Sequence, residues 1–596
     1  MRTFQAILCL FGIVLTVEFG LNAQAQDGPP AATNAQPVAK VKAVTDQMLT
    51  KPDPADWLMW RRTLDSWGYS PLNQITKQNV GKLRMVWTRG LGPGVQEGTP
   101  LVHDGVLFFP NPNDTIQAIN AATGDLIWEY KRPIPEDIGK YFPTPTANRN
   151  IAIYGDKIID TSEDDFVFGL NVATGTLAFQ TKIADYREYS AQETSGPIVA
   201  NGKIISGRGC EPRGEADACV ITAHDAVSGK ELWRTRTIPR PGEPGSESWG
   251  DTPLNLRRHV GTWMVPSFDA QTNLVIIGTS VTSPAPKFQL AGNDKKYLYH
   301  NSTLALDADT GRIVWYYQHI VDHWDLDHPF ERILVDTAVA PDPKEVPWIN
   351  PRLKSGERRR VVTGIPGKTG IVYTLDLKTG EFLWARPTTP QNVVTKIDGA
   401  TGEVTVNPET TFSKGGQARF VCPISGGGKN WWAGSYSPLT NAMYEPLENI
   451  CGIVTPISDT VVANSLYGIT MKAQMAPGQD KIGTVQAISA ETGRLLWKYE
   501  QPAATYSLVA TGGRLIFFGD QGGYFHALDQ DTGKELWSIN LGSPVSGYPI
   551  TFSVNGKQYV AASTGGALGG ARANPLTPQI RPSANSAIYV FALPEN

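Results

Sequence analysis

Five side chains able to hold a metal ion or move a proton lie within VDHWDLDHP, residues 321 to 329: Asp322, His323, Asp325, Asp327 and His328, arranged around Trp324. Only 18% of the chain is charged, so this concentration needs a cause. Carboxylates this close repel one another unless a lysine, an arginine or a metal ion joins them. Asp325 and Asp327 are two apart and face the same way on an extended chain. A hard cation held by both is the economical explanation. Two other readings stand beside it. His319, His323 and His328 offer a His-x-x-x-His zinc pair, although Pro329 and the aspartates disfavour the helix such a pair needs. The stretch also reads as a solvated acidic loop without metal.

The elements that must position this stretch are announced by a repeat. AATGDLIWEY, VATGTLAFQT, AVSGKELWRT, ADTGRIVWYY, LKTGEFLWAR, AETGRLLWKY and QDTGKELWSI each join a Thr-Gly or Ser-Gly turn to a strand ending in an aromatic residue. Glycine supplies the positive φ of a tight turn, and the alternating strand after it reads as half buried. With GKLRMVWTRG counted first, the equivalent aromatics are Trp87, Trp128, Phe179, Trp233, Trp315, Trp384, Trp497 and Trp537. The expected fold is all-β: an eight-bladed β-propeller whose tryptophans dock one blade on the next. The last strand, SAIYVFAL, is expected to pair with blade material from the N-terminal end and close the ring. Long gaps after Trp233, Trp315 and Trp384 place extended loops on one face, where function concentrates. VDHWDLDHP lies in the second of these gaps.

MRTFQAILCLFGIVLTVEFGLNAQAQ carries Arg2, an apolar run too short to span a bilayer, and Ala23-Gln24-Ala25. It reads as a signal peptide over 1–25, followed by a flexible Ala/Pro-rich leader over 26–51 and one domain over 52–596. A net charge of -4 with no basic patch speaks against a nucleic-acid partner, and no later segment is apolar enough to span a membrane. The exported chain keeps Cys210, Cys219, Cys422 and Cys451. Disulfides Cys210–Cys219 and Cys422–Cys451 are the simplest pairing, with four free thiols as the alternative. No Cys-x-x-Cys-His occurs, so no c-type haem is expected on this chain.

Several motifs in order resemble the quinoprotein alcohol dehydrogenases, exported methanol and ethanol dehydrogenases that use pyrroloquinoline quinone (PQQ). They are QEGTP, ANRN, ETSGP, SGRGCE, GTWMVPSFD, HWD, PGKTGIVYTLD and CPISGGGKNWW with ENIC. The resemblance implies that Glu97, Arg149, Thr194, Asn430 and Trp431 bind the quinone, with Arg208, Gly209 and Cys210 beside it. Trp263 becomes the floor under its rings, and Glu211 and Asp325 become metal ligands. Asp325 doubles as the base and Lys368 stands at the reactive carbonyl. Cys422 and Cys451 match a family disulfide. Asp327 resembles the added aspartate of lanthanide-using members, which favours a lanthanide(III) over Ca2+.

Three departures from the family are visible. Val281 stands where an asparagine ligand is usual, with Thr282 or Ser283 as the nearest substitutes. Pro143 and Thr144 replace an adjacent-cysteine disulfide, and a Cys210–Cys219 bridge is expected to stiffen the quinone wall instead. Thr505 or Tyr506 replaces a tryptophan lining the substrate cavity, which implies bulky primary or secondary alcohols. The expected activity is a periplasmic PQQ-dependent alcohol dehydrogenase, monomer or homodimer, passing electrons to a separate c-type cytochrome. A PQQ-dependent sugar or polyol dehydrogenase and a non-catalytic propeller scaffold are the alternatives.

Overall fold

The computed structural model describes residues 41–142, 147–462, 465–567 and 570–595. The expected signal peptide, most of the leader, and Pro143 and Thr144 lie outside the described residues. The packed chain begins earlier than residue 52. Val44 bridges Gly155, Thr45 caps the short helix Asp46–Thr50, and Leu49 is buried. Two apolar side chains in an otherwise polar leader suffice to tie it down.

Nearly all regular structure is β. Among the described residues eight sheets have four or five strands. The first is built of Leu101–His103, Val106–Asn111, Thr115–Asn120 and Leu126–Lys131, each antiparallel to the next. The pattern recurs over 152–182, 198–236, 267–318, 333–387, 435–501 and 505–540. In the first sheet the central strand Val106–Asn111 is wholly buried, whereas the last, Leu126–Lys131, buries Trp128 and Tyr130 and exposes the ends; Phe382–Pro387, buried at five of its six positions, does not alternate. A strand covered on both faces must be apolar throughout, and one covered on a single face alternates. The eighth sheet joins Ile550–Val554, Lys557–Thr564 and Ala587–Ala592 to Arg84–Gly90, the pairing of chain ends expected from SAIYVFAL.

The repeated aromatics have a consistent environment. Trp128, Trp233, Trp315, Trp497 and Trp537 each sit opposite an alanine or threonine on the neighbouring strand. The indole N–H groups of Trp87, Trp128, Trp233, Trp315 and Trp497 donate to carbonyls of Ala121, Val172, Ala308, Leu377 and Gln530, at 2.9–3.1 Å. Each acceptor precedes the Thr-Gly turn of the following sheet. The ring covers the turn glycine: a Cβ on Gly175 would lie 2.6 Å from Trp128. Gly175 has φ +69°. Gly175→Ala is therefore expected to destabilise the fold by about 2–4 kcal/mol, from left-handed backbone and overpacking together. Gly356, also at positive φ but with nothing within 4 Å of the added Cβ, separates the two contributions. Its alanine variant should lose only about 1–2 kcal/mol in urea unfolding. Equal losses at the two positions would remove the tryptophan from the account.

The gap after Trp384 is more structured than an extended loop. It holds a hairpin, Val394–Ile397 with Val404–Val406, and the sheet Arg419–Val421, Ile450–Pro456 and Ile469–Met475. Both expected disulfides are formed; Cys422–Cys451 fastens a strand of this sheet to the segment beside it, and Cys210–Cys219 closes the loop after Gly209–Cys210. No helix among the described residues is long and apolar enough to cross a membrane.

Candidate active site

Segments joining the sheets converge on one cavity, and the motif residues of the sequence meet there. Its lining includes Arg149, Thr194, Gly209, Glu211 and Trp263 from the first half of the chain. Asp325, Asp327, Lys368, Asn430 and Trp431 come from the second. Glu97, Arg208 and Cys210 do not line it. Glu97 lies behind Arg149 in a 2.6 Å ion pair, and Cys210 is engaged with Cys219. Arg208 is buried and its guanidinium is claimed by Asp165 and Glu193, so the quinone-side position expected for it is not observed. A buried cation goes to the nearest carboxylates because an unpaired one costs several kcal/mol.

VDHWDLDHP owes its shape to its first aspartate. The two oxygens of Asp322 accept the N–H groups of Trp324 and Leu326, at 2.7 and 2.6 Å. This clamp turns the chain through Asp325, whose φ is +66°, a conformation that aspartate tolerates better than most residues. The Lys368 segment is laced to it: the Lys368 N–H donates to the Asp327 carbonyl at 2.9 Å. Gly367 permits the approach, since a Cβ there would meet His328 and the Asp327 carbonyl, the latter at 2.5 Å. The histidines serve the core. His319 bonds Thr303, His328 bonds the Leu326 carbonyl, and their rings stack at 5.1 Å. Burial holds both well on the neutral side.

The ammonium of Lys368 bridges the other two aspartates, 2.8 Å from Asp325 and 2.9 Å from Asp327. The second oxygen of Asp327 accepts the N–H of Val281 at 2.8 Å. Val281 thus contributes its main chain where a side-chain ligand was looked for, and Thr282 and Ser283 do not line the cavity. Burial raises Asp325 to about 7 despite Lys368, whereas for Asp327 burial, the largest single influence, is overcome by Lys368, the Val281 N–H and His259 acting together, and the pKa is lowered. Two carboxylates two residues apart are driven to opposite protonation behaviour. Burial also raises Glu211 to about 7, with Arg213 opposing weakly.

The lining fits a cation by its chemistry. Three carboxylates line the cavity, and burial raises two of them, Glu211 and Asp325, so a cation bound there would favour their ionised forms. The closely grouped three-carboxylate set expected from the sequence is not drawn: among the described residues no three His, Cys, Asp or Glu side chains cluster tightly enough for a metal ion. Lys368 holds the aspartates in its stead. The lining also fits a flat polyanion. The Arg149 guanidinium lies 5.1 Å from the Trp263 ring and 5.6 Å from the Trp431 ring, an aromatic and cationic surface in one place.

Five residues that the motifs did not announce complete the lining: Gln192, His259, Leu466, Tyr467 and Arg572. Thr505 and Tyr506 do not reach it. Thr505 donates to the Leu447 and Thr484 carbonyls, and Tyr506 stacks on Trp432 at 4.5 Å. Tyr467 packs edge-on against His259 at 5.5 Å. No repeat or motif marks 466–467 or 572, so the sequence carries no signal for them.

Residues 57–405 match the family described as glucose/ethanol/alcohol dehydrogenase, beta-propeller domain, and 481–573 match outer membrane protein assembly factor BamB. The dehydrogenase subunit of a quinone alcohol dehydrogenase from Komagataeibacter europaeus is 30% identical over 550 residues, 86% of this chain and 72% of the relative. Among solved structures, quinohemoprotein alcohol dehydrogenase ADHIIG of Pseudomonas putida superposes with TM-score 0.82 at 26% identity, over 93% of this chain and 83% of that one. A europium-containing methanol dehydrogenase gives 0.81 at 26%, over 92% and 100%. The fold is a β-propeller.

Proposed function

The chain belongs to the PQQ-dependent alcohol dehydrogenase family, and on that premise we propose that it is an exported periplasmic enzyme oxidising a primary or secondary alcohol, bulkier than methanol, with electrons passed to a c-type cytochrome. One observation supports this above the rest: a single cavity brings together Arg149, Trp263, Glu211, Asp325, Asp327 and Lys368. A protein-binding scaffold has no use for that combination. We read the eight sheets as eight blades of one ring over 52–596, with the indole contacts docking each blade on the next and the Arg84–Gly90 to Ala587–Ala592 pairing closing it.

In this reading Arg149, Thr194, Asn430 and Trp431 hold the cofactor's polar rim and Trp263 lies under its rings. Glu97 fixes Arg149 through their ion pair. Glu211, Asp325 and Asp327 hold the ion, lanthanide(III) or Ca2+. When bound, PQQ and its ion supply a two-electron acceptor with a polarised carbonyl. Asp325 takes the hydroxyl proton of the alcohol: its Oδ1 is engaged by Lys368, and among the described residues its Oδ2 is paired with Arg572 alone, at 3.7 Å. Lys368 keeps the two aspartates apart and oriented, and Val281 anchors Asp327 from the main chain.

Dye-linked oxidation by the purified protein supplied with PQQ, with calcium against lanthanum or cerium, tests the reading on alcohols from methanol to bulky secondary ones. Turnover only with the lanthanides, lost in Asp327→Ala, is the expected result. Turnover with calcium, retained in that variant, would make Asp327 an accessory. Silence with every metal and alcohol would return the chain to the scaffold class that the match over 481–573 represents.

A further inference from the structure

Of the three basic side chains lining the cavity, two are committed. Arg149 is paired with Glu97 at 2.6 Å, and Lys368 with Asp325 and Asp327. Arg572 is different. Its nearest carboxylate oxygen is Asp325 Oδ2 at 3.7 Å, too long for a direct hydrogen bond, and among the described residues its guanidinium donates none. Burial pushes the pKa of Glu448, its other acidic neighbour, well above the usual carboxylate value, with Arg572 opposing. The Arg572 side chain is 34% exposed, so this part of the lining is open to solvent, as are Gly209, Trp263, Leu466 and Tyr467 in part. A forked cation that donates to no described residue thus lines the cavity, 3.7 Å from the oxygen assigned to proton removal.

We infer that Arg572 receives an anionic group of the substrate, so that the preferred alcohols are hydroxy acids with the carboxylate one or two carbons from the carbinol. This rests on the assignment of Asp325 as base in the reading above. The planar guanidinium matches a carboxylate with two parallel N–H···O bonds, a geometry that a neutral alcohol cannot use. The reaction then balances as follows. The carbinol C–H leaves as hydride to the quinone cofactor, carrying both electrons; the O–H proton goes to Asp325; the C=O bond forms, and a 2- or 3-hydroxy acid becomes the corresponding oxo acid. The carboxylate takes no part beyond orienting the carbinol hydrogen.

Paired substrates test this in the reconstituted holoenzyme: 2-hydroxypropanoate against propan-2-ol, and 3-hydroxybutanoate against butan-2-ol. The acid should be favoured in kcat/KM by about 10–100-fold, the worth of a charge-assisted bidentate contact. Arg572→Gln should collapse that ratio, mainly through KM, and Arg572→Lys should restore part of it. A readout independent of turnover is calorimetric binding of 2-hydroxy-2-methylpropanoate, which has no carbinol hydrogen. It should bind the wild type and fail to bind Arg572→Gln, and 2-methylpropan-2-ol should bind neither well. Neutral alcohols oxidised as well as the acids, or a ratio unchanged in Arg572→Gln, would overturn the inference and leave the alcohol dehydrogenase reading standing. Loss of PQQ affinity in Arg572→Gln with an unchanged ratio would also overturn it, by giving Arg572 to the cofactor. Oxidation of neither class by the wild type would instead sink the reading of the site itself.

Discussion

Asp325→Asn is expected to lower kcat for alcohol oxidation by about 10²–10⁴-fold, the usual worth of a positioned general base. The choice between the two aspartates follows from their oxygens. Both oxygens of Asp327 are taken, one by the Val281 N–H and one by Lys368, and its pKa is pulled down, so it stays ionised and engaged. Asp325 keeps one oxygen clear of short contacts, and burial brings it to about 7, where it can accept a proton and release it again. Asparagine is the suitable replacement because it preserves the shape and tolerates the positive φ of this position. PQQ binding followed by quenching of tryptophan fluorescence should change little, which would separate loss of proton transfer from loss of cofactor. Turnover within tenfold of wild type would remove Asp325 from the chemistry.

The second large effect is on stability and lies one residue before Asn430. Lys429 is fully buried, with its ammonium against Glu331 and Glu445, both also buried. Glu331 additionally accepts the Gly434 N–H at 2.7 Å, and Arg61 donates to the Gly434 carbonyl at 2.6 Å. The network therefore fastens both ends of the segment 429–434 that delivers Asn430 and Trp431 to the cavity. Lys429→Met removes the cation in contact with both carboxylates, leaving Arg61 as a nearby positive charge, and should cost about 3–5 kcal/mol. The pH dependence carries the diagnosis. Burial already raises Glu445 to about 7 against the opposing pull of Lys429. An acid whose folded pKa lies above its unfolded value favours the fold below the unfolded value, near 4.5, and that contribution is lost as pH rises through about 7. Without Lys429 the Glu445 carboxyl loses the pull that opposes burial, so the deficit in urea unfolding should be smaller at pH 5 than at pH 8. The same deficit at both would mean that shape, not charge, is what Lys429 supplies.

The repeat was legible because it is local. A Thr-Gly turn, a positive φ and an aromatic a few residues on are all encoded within ten positions, and the carbonyls that receive the indoles fall at the same place in each unit. The cavity roster was legible to the same degree, since motifs of four to eleven residues carry Arg149, Thr194, Glu211, Trp263, Lys368 and Asn430, all of which line it. Arg208 shows the limit. Its neighbours in sequence face the cavity, yet its own side chain goes to Asp165 and Glu193 because they are the carboxylates within reach. The direction of the Thr505 and Tyr506 side chains was not legible for a similar reason: packing against Trp432 and two main-chain carbonyls decided it.

The sequence by itself determined the architecture of turns and strands, the two disulfides and the chemical kinds gathered at the site, because each depends on residue type at short spacing. Tertiary structure alone decided which atom does what: that Asp322 shapes the turn while Asp325 faces the cavity, that Val281 serves through its N–H, and that Arg572 arrives beside Asp325 from the far end of the chain. The physical reason is that main-chain donors are the same in every residue and that contacts between distant segments are set by burial and charge pairing, neither of which leaves a pattern along the chain.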